Sequence, residues 1–112
     1  MIAHKQVESA LQSLQQALER AGHWAMDDIS AEALASQQPF CLDTMNFSQW
    51  LQFVFIPNIQ LLIDAQQALP RFVKGQGLEP MASEFYAIAE DDHREILAVI
   101  GQIDDLLQIN EN

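Results

Sequence analysis

The sequence predicts an all-α fold, a four-helix bundle with an additional short helix near residues 30–37. Three observations predict it. Apolar residues recur at three- and four-residue spacing in four long segments, no stretch alternates with period two, and start and stop residues bound the segments. At 112 residues the chain is expected to form one domain over 1–112.

Residues 2–21 carry Val7, Leu11, Leu14 and Leu18 on a narrow apolar stripe, with Gln and Glu on the other sides. This predicts an amphipathic helix on the outside of the bundle. Gly22 is placed to end it in the left-handed conformation, with Trp24 folding back over the last turn. Ser30 is a good N-cap for a short helix through Gln37, and Pro39 stops it.

The third long helix begins at Asn46, whose spacing to Gln49 is that of a capping box. At 100° steps, Phe47, Leu51, Val54, Leu61, Leu62 and Ala65 fall in one arc bordered by Trp50. Phe53, Ile56, Ile59 and Ile63 fall outside it. A helix apolar most of the way round is buried on more than one side, so residues 46–68 are expected to form the central helix. Gly75 and Gly77, between Pro70 and Pro80, mark a loop, and Pro80 suits the first turn of the next helix. The core arc there is Met81, Phe85, Ile88 and Ala89, then Ile96, Val99, Ile103 and Leu106. Asp92 falls inside that arc, where an unpaired charge is costly. A break with Asp92 as N-cap and Glu95 at N3 resolves this, giving helices over about 80–90 and 93–109.

The composition excludes several functions. The formal charge is −11, and the five cations Lys5, Arg20, Arg71, Lys74 and Arg94 form no stripe. Direct nucleic-acid binding is therefore not expected, whereas a basic partner would be attracted. The stretch Trp50–Ile63 is interrupted by Gln52, Pro57, Asn58 and Gln60 and is shorter than the ~20 apolar residues a membrane helix needs. The N-terminus runs straight into a Gln-rich helical pattern, which predicts no signal peptide and a cytoplasmic protein. Cys41 has no internal disulfide partner and reads as a small buried hydrophobe.

Pro39-Phe40, Asp43-Thr44-Met45, Trp50-Leu51-Gln52, Ile56-Pro57 and Leu69-Pro70 follow one another within 32 residues. On that run the chain resembles the YqcC-like family of small bacterial proteins. The resemblance implies an all-α bundle and brings no catalytic residues with it. Because genes of members often lie beside one for a tRNA pseudouridine synthase, it also implies a functional association with that enzyme. Members tend to place Arg after the helix proline; this chain has Asn58 and offers no cation there.

Pro57 removes the hydrogen bond that would satisfy the Phe53 carbonyl and bends the helix. Asn58, beside this defect, either offers a polar contact in a pocket or partner groove or satisfies a local backbone group; the helix could also end and restart here. Glu90 and His93 have the Glu-x-x-His spacing of di-iron bundles, but His4 and His23 lack the matching Glu, and a cap with solvated acids explains the same residues. No P-loop, nucleophile elbow or dinucleotide fingerprint is present.

Phe40, Phe47, Trp50, Phe53 and Phe55 crowd into 16 residues and are expected to be mostly core, provided that residues 30–45 cover them. The expected function is a non-enzymatic protein-interaction module with a protein partner, for which the family resemblance suggests a tRNA pseudouridine synthase. Its expected surface comprises Phe53, Phe55, Ile56, Asn58, Ile59 and Ile63. No catalytic residue, cofactor or metal ligand is assigned. The alternative is a small-ligand or metal-binding bundle using Asn58, Asp43, Thr44 and His93. A homodimer paired through the surface of helix 46–68 is a third reading.

Overall fold

The computed structural model describes residues 2–73, 77–87 and 93–108. It contains α1 (Ile2–Arg20), α2 (Ala31–Leu34), a 3-10 turn (Pro39–Cys41), α3 (Phe47–Trp50), a π-helical turn (Leu51–Phe55), α4 (Ile56–Asp64), α5 (Glu79–Ala87) and α6 (Arg94–Leu107). Since α3, the π turn and α4 form one uninterrupted helical run, the fold is the expected one of four long helices and a short one. No strand occurs among the described residues. An isolated parallel bridge joins Phe72 and Gln108, with the Phe72 N–H donating to the Leu107 carbonyl at 2.8 Å.

The helix ends follow local chemistry. The Ser30 hydroxyl accepts from the Ala33 N–H. Asn46 and Gln49 exchange side-chain and backbone bonds at 2.8 and 2.9 Å, completing the capping box. Gly22 adopts φ 77°, while its N–H and that of His23 reach back to the carbonyls of Glu19 and Leu18. This is a Schellman ending. Helix α4 ends in the same way, but with Gln66 at φ 56° in the place glycine usually takes. The Asp104 carboxylate accepts from the Leu78 and Glu79 N–H groups at the start of α5. A Cβ on Gly77 would lie 2.5 Å from that carboxyl carbon, so a larger residue there would displace Asp104 from these two bonds.

The core differs from expectation in three places. Val7, Leu11, Leu14 and Leu18 are buried as predicted, but the most extensive helix pair is α1 with α6. The run 47–64 packs on α1 through α4 and on α5 through α3. Second, the arc of α5 is rotated by one position, with Ala82 and Tyr86 buried while Met81 and Phe85 pack only partly on the core; in α6 Ile96, Val99 and Ile103 are buried as expected, and Leu107 lies deeper than Leu106. Third, Ile59 and Phe55 are core residues, whereas Leu61 is 65% exposed and Ala65 is also exposed.

The π turn explains the third difference. Buried Phe47, Leu51, Phe55 and Ile59 are separated by three steps of four. In a straight α-helix each such step drifts by about 40°. Here the Ile56 N–H donates to Leu51, five residues back, and the wider turn absorbs the drift. Pro57 thus becomes the second residue of a fresh α segment, where its missing N–H needs no intrahelical partner. The run does not end at Pro57, although the proline supplies no N–H to a carbonyl of the preceding turn.

Arg20 and Glu95 form a bidentate pair at 3.0 and 2.5 Å on the α1–α6 surface. The hydrogen bonds from Arg20 hold the Glu95 carboxyl below its ordinary range. Helix α6 has His93 at its N-cap position without a side-chain cap bond, and Glu95 is committed to Arg20 rather than to a capping box. Asp92, Ile88 and Ala89 lie outside the described residues.

Candidate interaction surface

The π turn presents its side chains in two directions. Leu51, Gln52 and Phe55 point into the protein. Phe53 is partly exposed and stands outside the core cluster. Of the five clustered aromatics, Phe40, Phe47, Trp50 and Phe55 contact one another: Phe40 meets Trp50 edge-on at 4.8 Å and Phe47 at 5.7 Å, Phe47 stacks on Trp50 at 5.8 Å, and Trp50 meets Phe55 at 5.6 Å. The turn at Pro39–Cys41 therefore covers this cluster, as expected. Phe53 is in none of these ring contacts.

The expected surface is consequently divided. Phe55 is 5% and Ile59 4% exposed, so these two residues belong to the interior and cannot meet a partner. Ile56 and Ile63 are partly exposed while packing on the core, and Asn58 is exposed. The physical reason is the π turn, which carries Ile59 inward and leaves Phe53 outside.

Phe53 lines a cleft of about 360 Å³ with the segment Ala25–Ser30, Ala33, Thr44 and Gln49. Within that segment Met26 is 93% exposed, next to Asp27 and Asp28. Gln52 fixes this segment to the helix. Its Oε1 accepts from the Ala25 N–H at 2.8 Å, and its Nε2 donates to the Ala25 carbonyl at 2.9 Å. The other wall is held where the Thr44 hydroxyl donates to the Ala33 carbonyl at 2.8 Å.

A separate polar cluster joins His23, Ser48, Tyr86 and His93. The Nε2 atoms of His23 and buried His93 are 2.8 Å apart, so one donates to the other and at least one ring is neutral. Tyr86 stacks on His93 at 4.8 Å, and its hydroxyl shares a 2.6 Å hydrogen bond with buried Ser48. Burial pushes the Tyr86 phenol above its ordinary range, with the Ser48 bond opposing the shift. Among the described residues, no group of three or more His, Cys, Asp or Glu side chains could hold a metal ion. Glu90, the other half of the Glu-x-x-His spacing, lies outside the described residues.

The residues named for a ligand site do not converge. Asp43 bonds to the Ser36 hydroxyl, His93 to His23, and the cleft that contains Thr44 includes neither of them nor Asn58. Met26, Gln52 and the His23–His93 contact were missed from sequence. A polar Gln52 within the apolar run 50–63 was the one available signal. No helix among the described residues is long and apolar enough to cross a membrane.

Comparison with known proteins places these features in a family. The chain is 31% identical over 107 residues to an uncharacterized protein of Haemophilus influenzae, covering 95% of this chain and 96% of that one. It is 31% identical over 106 residues to uncharacterized protein YqcC of Escherichia coli, covering 95% and 92%. The solution NMR structure of E. coli YqcC matches with a TM-score of 0.76 at 34% identity, over 96% of this chain and 89% of that one. A protein of Pectobacterium carotovorum named tRNA pseudouridine synthase C is 39% identical over 71 residues, which are 63% of this chain and 19% of that protein. The family model described as tRNA pseudouridine synthase C matches residues 6–106. With this match and full-length relatives in two organisms, the chain belongs to the YqcC-like family.

Proposed function

We propose that this protein is a non-enzymatic interaction module that serves a tRNA pseudouridine synthase by docking on it. The observation carrying this reading is the Pectobacterium protein. A stretch like this one makes up 19% of a protein named as the synthase, so most of that protein lies outside the match. A module joined to an enzyme in one organism and standing alone in others is suited to meeting that enzyme as a separate chain. The acidic surface supports the reading because it repels nucleic acid and attracts a basic protein. Phe53, Ile56, Asn58 and Ile63 are the residues of the expected surface that remain accessible.

Co-expression of the tagged full chain with the synthase of the same organism tests this. The expected result is a single complex on size-exclusion chromatography, weakened by Phe53→Ala. Separate elution of the two proteins at micromolar concentration, unchanged by that substitution, overturns it.

A further inference from the structure

We propose that the cleft lined by Phe53 and Met26 receives an amphipathic, Lys/Arg-bearing segment of the partner protein. The inference rests on the interaction reading above and names the surface and the chemistry it accepts.

Three observations lead to it. The first is apolar exposure. Met26 is almost fully exposed, while Phe53 and Ile29, both partly exposed, line the same cleft. Exposed Met beside an aromatic is adaptable contact surface, because the thioether chain conforms to varied apolar partners. The second is charge. Residues 21–70 contain Asp27, Asp28, Glu32, Asp43 and Asp64 and no Lys or Arg. Asp27 and Asp28 stand on the cleft itself. An acidic or neutral segment would gain nothing from these charges, and a phosphate backbone would be repelled. A segment with apolar residues on one side and cations beside them fits both the Met26–Phe53 side chains and the two aspartates. The third is preorganisation. The two bonds from Gln52 to Ala25 and the Thr44–Ala33 bond fix both walls before anything binds, so little ordering cost accompanies association.

The test titrates the isotope-labelled full chain with a synthetic 14-residue helix-forming peptide of Leu and Lys. The Leu residues are spaced i, i+3, i+4 and i+7. Two comparison probes are its Glu-for-Lys counterpart and oligolysine of equal charge. The proposal expects amide shifts confined to residues 25–33, 44, 49 and 53 for the Leu/Lys peptide, with both comparison probes binding at least tenfold more weakly. Met26→Ala should weaken binding about tenfold, and Asp27→Lys with Asp28→Lys should abolish it; both sites are exposed and leave the fold spectrum intact. Equal binding by oligolysine, shifts spread over the whole acidic surface, or the same cleft shifts from an RNA oligonucleotide would each overturn it. If the synthase complex forms and survives both sets of substitutions, the cleft assignment fails while the docking reading stands. If the peptide binds at the cleft and no synthase complex forms, the docking reading fails and the cleft assignment stands.

Discussion

The Gln52 carboxamide pairs with both backbone groups of Ala25, at 2.8 and 2.9 Å, as a neighbouring β-strand would. One buried side chain thereby ties the segment after α1 to the π turn, 27 residues later. Gln52→Leu removes both bonds and leaves a backbone donor and acceptor unpaired. Urea unfolding should show a loss of about 2–3 kcal/mol. The amides of residues 23–30 should exchange with solvent faster by a larger factor than those of α1 and α6.

The register of α4 is tested by two substitutions two residues apart. Ile59→Ala should cost about 2–4 kcal/mol because it empties a core position. Leu61→Ala should lie within about 0.5 kcal/mol of the parent, as expected for an exposed side chain. The reverse order would mean that the helix keeps an α register through residues 51–55. Pro57→Ala should change stability by less than about 1 kcal/mol, because the regained N–H offsets the greater freedom of the unfolded chain.

Tyr86 is the only tyrosine, so absorbance titration reads it directly. Its folded pKa is raised by burial, and the unfolded phenol ionises near its ordinary value of about 10. The phenol's contribution to stability is therefore fully present below that value and is lost as pH rises through the folded pKa. The titration midpoint should lie above that of a tyrosine peptide and rise further in Ser48→Ala, which removes the bond favouring the phenolate. A midpoint at the peptide value would contradict the burial of this ring.

Gln66 ends α4 in the left-handed region, where a side chain costs about 1 kcal/mol or more. Gln66→Gly should raise the unfolding free energy by about 0.5–1 kcal/mol, seen as a higher urea midpoint at unchanged slope. An unchanged or lowered midpoint would show that the side chain contributes something its exposure does not suggest.

Most of the architecture was legible in local signals. The α1 stripe, the Ser30 cap, the Asn46–Gln49 box and the Gly22 ending each depend on residues a few positions apart, and each is present. The orientation of residues 53–65 was not legible, because a helical wheel assumes 100° per residue and a π turn violates that assumption. Pro57 marked the place but not the remedy. The surface was legible only in part for the same reason: Phe53 was named with Phe55 and Ile59, and the wider turn separates them. Met26 carried no periodic signal at all, since its exposure depends on where Gln52 anchors a loop. The His23–His93 contact joins residues 70 positions apart and has no local trace.

The π turn has an evolutionary reading. Deleting any one of residues 52–54 would convert the spacing of buried positions from four-four-four to four-three-four, which an ordinary α-helix accepts. The downstream face would keep its orientation, with Ile59 still inward. The helix 47–64 therefore holds one surplus residue, and the chain most readily tolerates a shortening at the turn that puts Phe53 on the surface.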